Sequence, residues 1–463
     1  MSAKVSNENV HIELKPKLKL LTLIVVIVAP FSGMRYGLDM GVISGALGPI
    51  STEFKLTTTQ QGFIVSAVLA GGAFALLIAG FLSDLIGRKK VIIIGAVLFV
   101  IGAFMIGNSV GYLSILTGRL VMGTGVGITS VIIPLYLAEV APAHIRGKAI
   151  VAYQLCLTIG ILAAYIVDLG YAKSGDWRSM FLLLNYPGIA FLICCFVLPE
   201  SPVWYFLKGR KDLSVKILNK VHCEKEAVFI MDEMETLKRE NAEDGTNSFF
   251  KKTYFIPFLI GFTVACLTPL TGIDVIIEYC PTILKHCGIS PQSSIAIGVA
   301  IMAVNVVVTV IAILLIDRLG RKPLLLFSSL IAFISLIVIA IGTLLPNADA
   351  IKIILIAFGM FGFIFGFGIG IGVVVWLAMS ELLPSKIRSR GIAIALFGNT
   401  VIDTTLLAYF LDVEKVIGYS SVFFILAGIT LFYFIFTLLF FPETKGKSIE
   451  EIEEYFRKGK AKA

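Results

Sequence analysis

Gly80-Phe-Leu-Ser-Asp84-Leu-Ile-Gly87-Arg88-Lys89-Lys90 has a second copy in the other half of the chain, Ile316-Asp317-Arg318-Leu-Gly320-Arg321-Lys322-Pro323. Each copy lies between two long apolar runs, so each reads as a short charged loop pinned between membrane helices. One motif at equivalent places in two halves implies a duplicated helical bundle. Such duplication serves to open a central cavity to alternate sides of a bilayer.

The surrounding composition agrees. Of 463 residues, 57% are hydrophobic and only 15% charged, with mean hydropathy +0.93. The apolar runs are continuous rather than alternating, which predicts spanning helices and not a barrel. Twelve spans are predicted, near residues 19–45, 58–82, 90–108, 110–136, 148–169, 178–198, 253–280, 292–316, 323–345, 351–379, 389–411 and 418–441. An even number puts both termini on one side. That side carries 31 Lys and Arg, and the opposite loops carry six: Lys55, Lys173, Arg178, Lys285, Lys352 and Lys415. The positive-inside rule then places both termini in the cytoplasm, with the chain multi-pass in the cytoplasmic membrane. The net charge of +8 is accounted for by this topology, so no nucleic-acid partner is inferred.

No cleaved leader is expected, because the first 19 residues are polar and the run after them is long enough to remain a span. The seven cysteines form no C-x-x-C pair and the four histidines are scattered, so neither a metal site nor a cofactor is expected. No nucleophile–base constellation points to an enzyme. The absence of an N-x-S/T sequon leans toward a bacterial inner membrane.

The largest polar break covers about residues 200–252 and divides the chain into a bundle over 1–199, a linker of short cytoplasmic helices over 200–252, and a second bundle with its tail over 253–463. The repeat extends beyond the opening motif. Leu137-Ala-Glu139-Val-Ala-Pro142-Ala-His-Ile145-Arg146-Gly147 pairs with Met379-Ser380-Glu381-Leu-Leu-Pro384-Ser-Lys-Ile387-Arg388, and Leu198-Pro199-Glu200-Ser201-Pro202 pairs with Phe441-Pro442-Glu443-Thr444-Lys445. The motifs recur in the same order on the same side, as a parallel duplication of a six-helix unit demands. Their charges read as a latch. Asp84, Arg88, Glu139, Arg146 and Glu200 in one half would face Asp317, Arg321, Glu381, Arg388 and Glu443 in the other, and pairs across the halves would close the cytoplasmic face. The competing reading is that these charges only stabilise loops and fix topology.

At these residues the chain resembles the sugar porter family of the major facilitator superfamily: Asp84-x-x-Gly-Arg-Lys, Pro199-Glu-Ser-Pro, Asp317-Arg-x-Gly-Arg-Lys and Pro442-Glu-Thr-Lys-Gly occur together in family order over nearly the whole length. Gly37-Leu-Asp39-Met-Gly in span 1 and Tyr153-Gln154 in span 5 look most like bacterial galactose–, arabinose– and xylose–proton symporters. The resemblance implies two pseudo-symmetric six-helix bundles, the major facilitator fold. It implies transport of a monosaccharide or polyol with a proton, and a monomer suffices because one chain holds both halves. It also implies a proton site at Asp39 with Arg119 as its partner. Physics points the same way, since an acid deep in an apolar helix is costly unless a cation or a proton neutralises it. A static buried ion pair is the alternative.

Residues retained for ligand contact are Gln154, Tyr279, Asn305, Trp376 and Asn399, a set of amides, a phenol and an indole suited to a polyhydroxylated ligand. The departures are acidic. Thr268-Pro269 replaces the family's Gln-Gln pair, Asp274 and Glu278 replace an Asn and a Tyr, and Asp403 replaces a further Asn. Arg35, four residues before Asp39, is expected near the cavity, balancing one of these acids. The ligand is therefore a neutral sugar or polyol, or a charged solute such as an amino sugar. A uniporter and a non-transporting sensor remain alternatives. Pro269, Gly272 and Pro281 predict a broken span 7 that can bend as a gate.

Overall fold

The computed structural model describes residues 19–222, 226–232, 234–235, 252–345, 350–383, 385–447 and 449–457, and the side chains of Arg146, Asp317 and Arg388 lie outside that description. Eleven helical stretches among the described residues are long and apolar enough to cross a bilayer. The last, Arg390–Phe440, holds two spans, because Gly418 at φ 80° turns the chain inside it. Twelve crossings result, in agreement with the sequence.

Three spans are interrupted. Span 7 consists of Lys252–Leu270 and Ile273–His286, with Gly272 between them at φ 88°, ψ 23°. That left-handed conformation admits glycine without a Cβ penalty. Pro281, by contrast, is carried inside the second helix without a break. Span 6 is split into Trp177–Leu183 and Asn185–Val197, and span 10 into Ala350–Ile369 and Ile371–Leu382 around Gly370. The sequence reading anticipated neither of these two interruptions.

Packing follows the duplication. Span 1 lies along span 5 and span 4 along spans 2 and 3; in the second half, span 7 lies along the helix carrying spans 11 and 12, and span 10 along spans 8 and 9. The halves meet through span 2 against the span 11–12 helix, span 5 against span 8, and span 1 against span 7. Small residues set the distances, as expected where lipid provides no hydrophobic drive between helices. Gly33, Gly37, Gly41 and Gly45 recur every fourth residue on span 1 and face span 5. A Cβ at Gly37 would stand 1.9 Å from the Leu157 carbonyl oxygen, and one at Gly33 2.4 Å from that of Tyr153.

Contacts joining the halves concentrate on the side opposite the charged motifs. Thr58 hydrogen-bonds Asp412, the Tyr165 hydroxyl donates to the Ile277 carbonyl, the rings of Phe63 and Tyr409 meet edge-on at 6.0 Å, and Gly298 abuts the Tyr165 ring. Thr58, Asp412, Tyr165 and Gly298 all lie near span ends distant from the motifs. The halves are therefore closed against each other on that side, and the half-buried stretch 151–157 of span 5 lies toward the charged one.

Candidate functional site

The repeated motifs form two equivalent ion-pair nests. In the first, Glu139 accepts from Arg88 Nε and Nη2, both at 3.0 Å, while Arg88 Nη1 donates to Asp84 at 2.9 Å and to the Ser83 carbonyl at 3.1 Å. In the second, Glu381 accepts from Arg321 Nη2 at 2.9 Å, and Arg321 Nη1 donates to the Ile316 carbonyl at 3.2 Å. Glu200 accepts from the backbone N–H of Lys89 at 3.0 Å; Glu443 accepts from those of Arg321 and Lys322, each at 3.0 Å.

These last contacts explain the glycines. Gly87 and Gly320 precede the helices Arg88–Gly107 and Arg321–Leu344, with φ of 104° and 93°. A Cβ there would stand 2.3 Å from a Glu200 oxygen and 2.7 Å from a Glu443 oxygen. Glycine lets a carboxylate reach the otherwise unsatisfied N–H groups of a helix start, where the helix dipole also favours it. Burial pushes the Glu443 carboxyl up, but hydrogen bonds from the N–H groups of Lys445, Arg321, Lys322 and Thr444 together outweigh it and hold the group below the usual carboxylate range.

Every one of these pairs lies within its own half. The sequence reading expected pairs across the halves that break when the charged side opens; none is formed among the described residues in this conformation, in which the halves meet on the opposite side.

Deeper in the bilayer, Asp39 of span 1 and Arg119 of span 4 form an ion pair, each 1% exposed. Arg119 also donates Nε to the Ile64 carbonyl and Nη2 to that of Val65, each at 3.0 Å. The pair thus ties spans 1, 2 and 4 together. Glu278 of span 7 lies within electrostatic reach of both partners, so the pair borders the interface between the halves.

The acids of the second half converge. Asp274 of span 7 and Asp403 of span 11 lie side by side, and Glu278 interacts electrostatically with both. Tyr36 of span 1 lies within electrostatic reach of all three. Of the other expected ligand contacts, Gln154 and Trp376 are half-buried, and Asn305 is 7% exposed. Asn399 is half-buried and donates to the Ala265 carbonyl at 2.8 Å. Tyr279 is fully buried with its hydroxyl committed to the Leu407 carbonyl at 2.9 Å and its ring against Phe410, so it braces span 7 on span 11 rather than facing open space.

Arg35 contradicts its expectation. It points into the interior of the first bundle, where its guanidinium lies 4.8 Å from the Phe99 ring centroid and 4.3 Å from that of Phe191 and donates Nη2 to Thr129 at 3.1 Å. No carboxylate is bonded to it, and Nε and Nη1 are buried without a partner among the described residues. The i, i+4 spacing to Asp39 suggested a pair, but Asp39 is taken by Arg119.

Asp168 went unremarked in the sequence reading. It is fully buried in span 5, where Oδ2 accepts from the Gly45 N–H at 3.0 Å and from the Ser44 hydroxyl at 3.4 Å. The available signal was a lone acid within an apolar run.

Comparison with known proteins fits this architecture. The family profile described as "Sugar (and other) transporter" matches residues 25–456. The chain is 34% identical over 452 residues to the galactose-proton symporter of Escherichia coli K12, covering 96% of each. It is 31% identical to the arabinose-proton symporter of Bacillus subtilis, over 93% of this chain and 94% of that one. Among solved structures, the partially occluded inward-open xylose transporter XylE of E. coli superposes with a TM-score of 0.80 at 25% identity, over 92% of this chain and 99% of that one. The chain therefore belongs to the sugar (and other) transporter family, and is a multi-pass membrane transporter of the major facilitator fold rather than an enzyme.

Proposed function

We propose that this chain is a proton-coupled symporter that moves a monosaccharide or related polyol across the cytoplasmic membrane by alternating access. The observation that carries the reading is the fully buried Asp39–Arg119 pair at the boundary between two bundles. A carboxylate at that depth tolerates charge only while the guanidinium neutralises it. Protonating Asp39 releases Arg119, and the released cation changes the balance among spans 1, 2, 4 and 7. That couples proton occupancy to which side of the cavity is open. Names of relatives support the class of driving ion and solute, since both curated proteins compared above are called proton symporters of sugars.

With the motif-bearing side in the cytoplasm, as the basic loops favour, the conformation described above is inward-facing. The nests around Arg88 and Arg321 then act as rigid corners for each bundle as it rocks, and Gln154, Asn305, Trp376 and Asn399 supply hydrogen bonds and an apolar face to the solute.

Asp39→Asn in proteoliposomes tests the coupling. Solute exchange at equal concentrations should persist, while accumulation driven by a pH gradient should vanish. Undiminished accumulation would overturn the proposal and leave Asp39 as a structural ion-pair partner.

A further inference from the structure

We propose that Asp274, Glu278 and Asp403 select a solute carrying a protonated amine, so that the transported compound is an amino sugar rather than a neutral hexose. This rests on the transport reading above and sharpens the chemistry of the same cavity.

The charge balance at this depth is lopsided. Asp39 is matched by Arg119, and Arg35 is turned away into the first bundle between two phenyl rings. Arg119, the cation within electrostatic reach of Glu278, is already committed to Asp39, and no cation is bonded to Asp274 or Asp403 among the described residues. Asp274 is half-buried and so borders open space, while Glu278 and Asp403 are 3% and 5% exposed. Asp274 and Asp403 share one proton, because two neighbouring carboxylates in a desolvated site cannot both ionise. That proton leaves one shared charge on the pair, and Glu278, 3% exposed, can hold a charge only while a cation stands against it.

Two atoms point to a missing donor. Glu278 Oε2 and Asp403 Oδ1 are both buried without a hydrogen-bond partner among the described residues. Buried acceptors are seldom left so unless a ligand or water completes them. An ammonium group supplies three donors and one positive charge, which answers both deficits. A bare metal ion fits less well, since no three His, Cys, Asp or Glu side chains among the described residues are placed to hold one. The Tyr36 phenol lies near the acids, and Gln154 and Trp376 are half-buried on spans 5 and 10; these groups suit a hydroxylated ring on the rest of the molecule.

The test is binding to the purified full-length protein at pH 7, by calorimetry and thermal shift, of D-glucosamine, D-galactosamine and D-mannosamine. Each is set against its parent hexose and its N-acetyl derivative. A charged hydrogen bond in a desolvated site predicts that at least one amine binds about tenfold to a hundredfold tighter than both neutral counterparts. Glu278→Gln and Asp403→Asn, which keep size and hydrogen-bonding capacity, should each bring that preference to near unity. The unliganded melting temperature of each variant reports that it has folded, and the unmodified protein decides the matter alone if a variant has not. Equal or weaker binding of every amine, including no binding at all, overturns the inference, as does a preference unmoved in folded variants. Proton-driven uptake of a neutral hexose without amine preference would sink this inference while leaving the symport reading intact.

Discussion

Gly62→Trp should trap the protein with its motif-free side open. In the structure Gly62 of span 2 lies against span 11 so tightly that a Cβ would stand 1.9 Å from the Ala408 carbonyl oxygen. Ordinary contact begins at 3.4 Å, so even alanine requires the two backbones to part by 1.5 Å, and an indole requires much more. Parting them breaks what closes that side. The Thr58–Asp412 hydrogen bond involves a charged acceptor, worth about 1.5–3 kcal/mol, and the edge-on Phe63–Tyr409 pair is worth about 0.5–1.5 kcal/mol. Together they bias the equilibrium by roughly 2–4 kcal/mol, or about 30- to 1,000-fold toward the opposite conformation. Hydrogen–deuterium exchange in detergent reads the shift directly. Peptides covering residues 55–66 and 405–420 should exchange faster than in the parent protein, and those covering 148–157 slower, while transport turnover collapses. Unchanged exchange with normal transport would show that span 2 and span 11 do not form the closure.

Two further outcomes follow from the nests and from the buried arginine. Glu443→Gln should lower the melting temperature at neutral pH. The folded-state carboxyl is held below its ordinary value, so its contribution is present above the unfolded value, about pH 4.3, and is lost as pH falls through the lower folded value; the melting difference between parent and variant should narrow over that acid window and stay constant above it. Arg35→Met should unfold close to the parent protein. Removing the guanidinium recovers a desolvation cost of several kcal/mol, while two cation–π contacts of about 2 kcal/mol each and one hydrogen bond are lost, so the terms nearly cancel. A fall of many degrees in a melting curve would show that Arg35 carries more than these contacts.

The sequence by itself determined the membrane class, the twelve crossings and the duplication, whereas the partnership of Asp39 with Arg119 was implied only by the family resemblance. These are legible because apolar length, the placement of Lys and Arg, and repeated short motifs are local properties of a chain that must satisfy its backbone inside lipid. It also located the break at Gly272, since proline and glycine act on the backbone where they stand. The tertiary structure decided which charges meet. Arg35 lies one turn from Asp39 in the chain, yet it faces Phe99 and Phe191 because the glycine face of span 1 is taken up by span 5. Glu200 and Glu443 cap helix starts more than a hundred residues away, which no spacing rule conveys. Asp274 and Asp403 meet only because span 7 lies along span 11. Side-chain pairing at a distance depends on which helix faces are buried together, and that is fixed by the packing of all twelve spans rather than by any one of them.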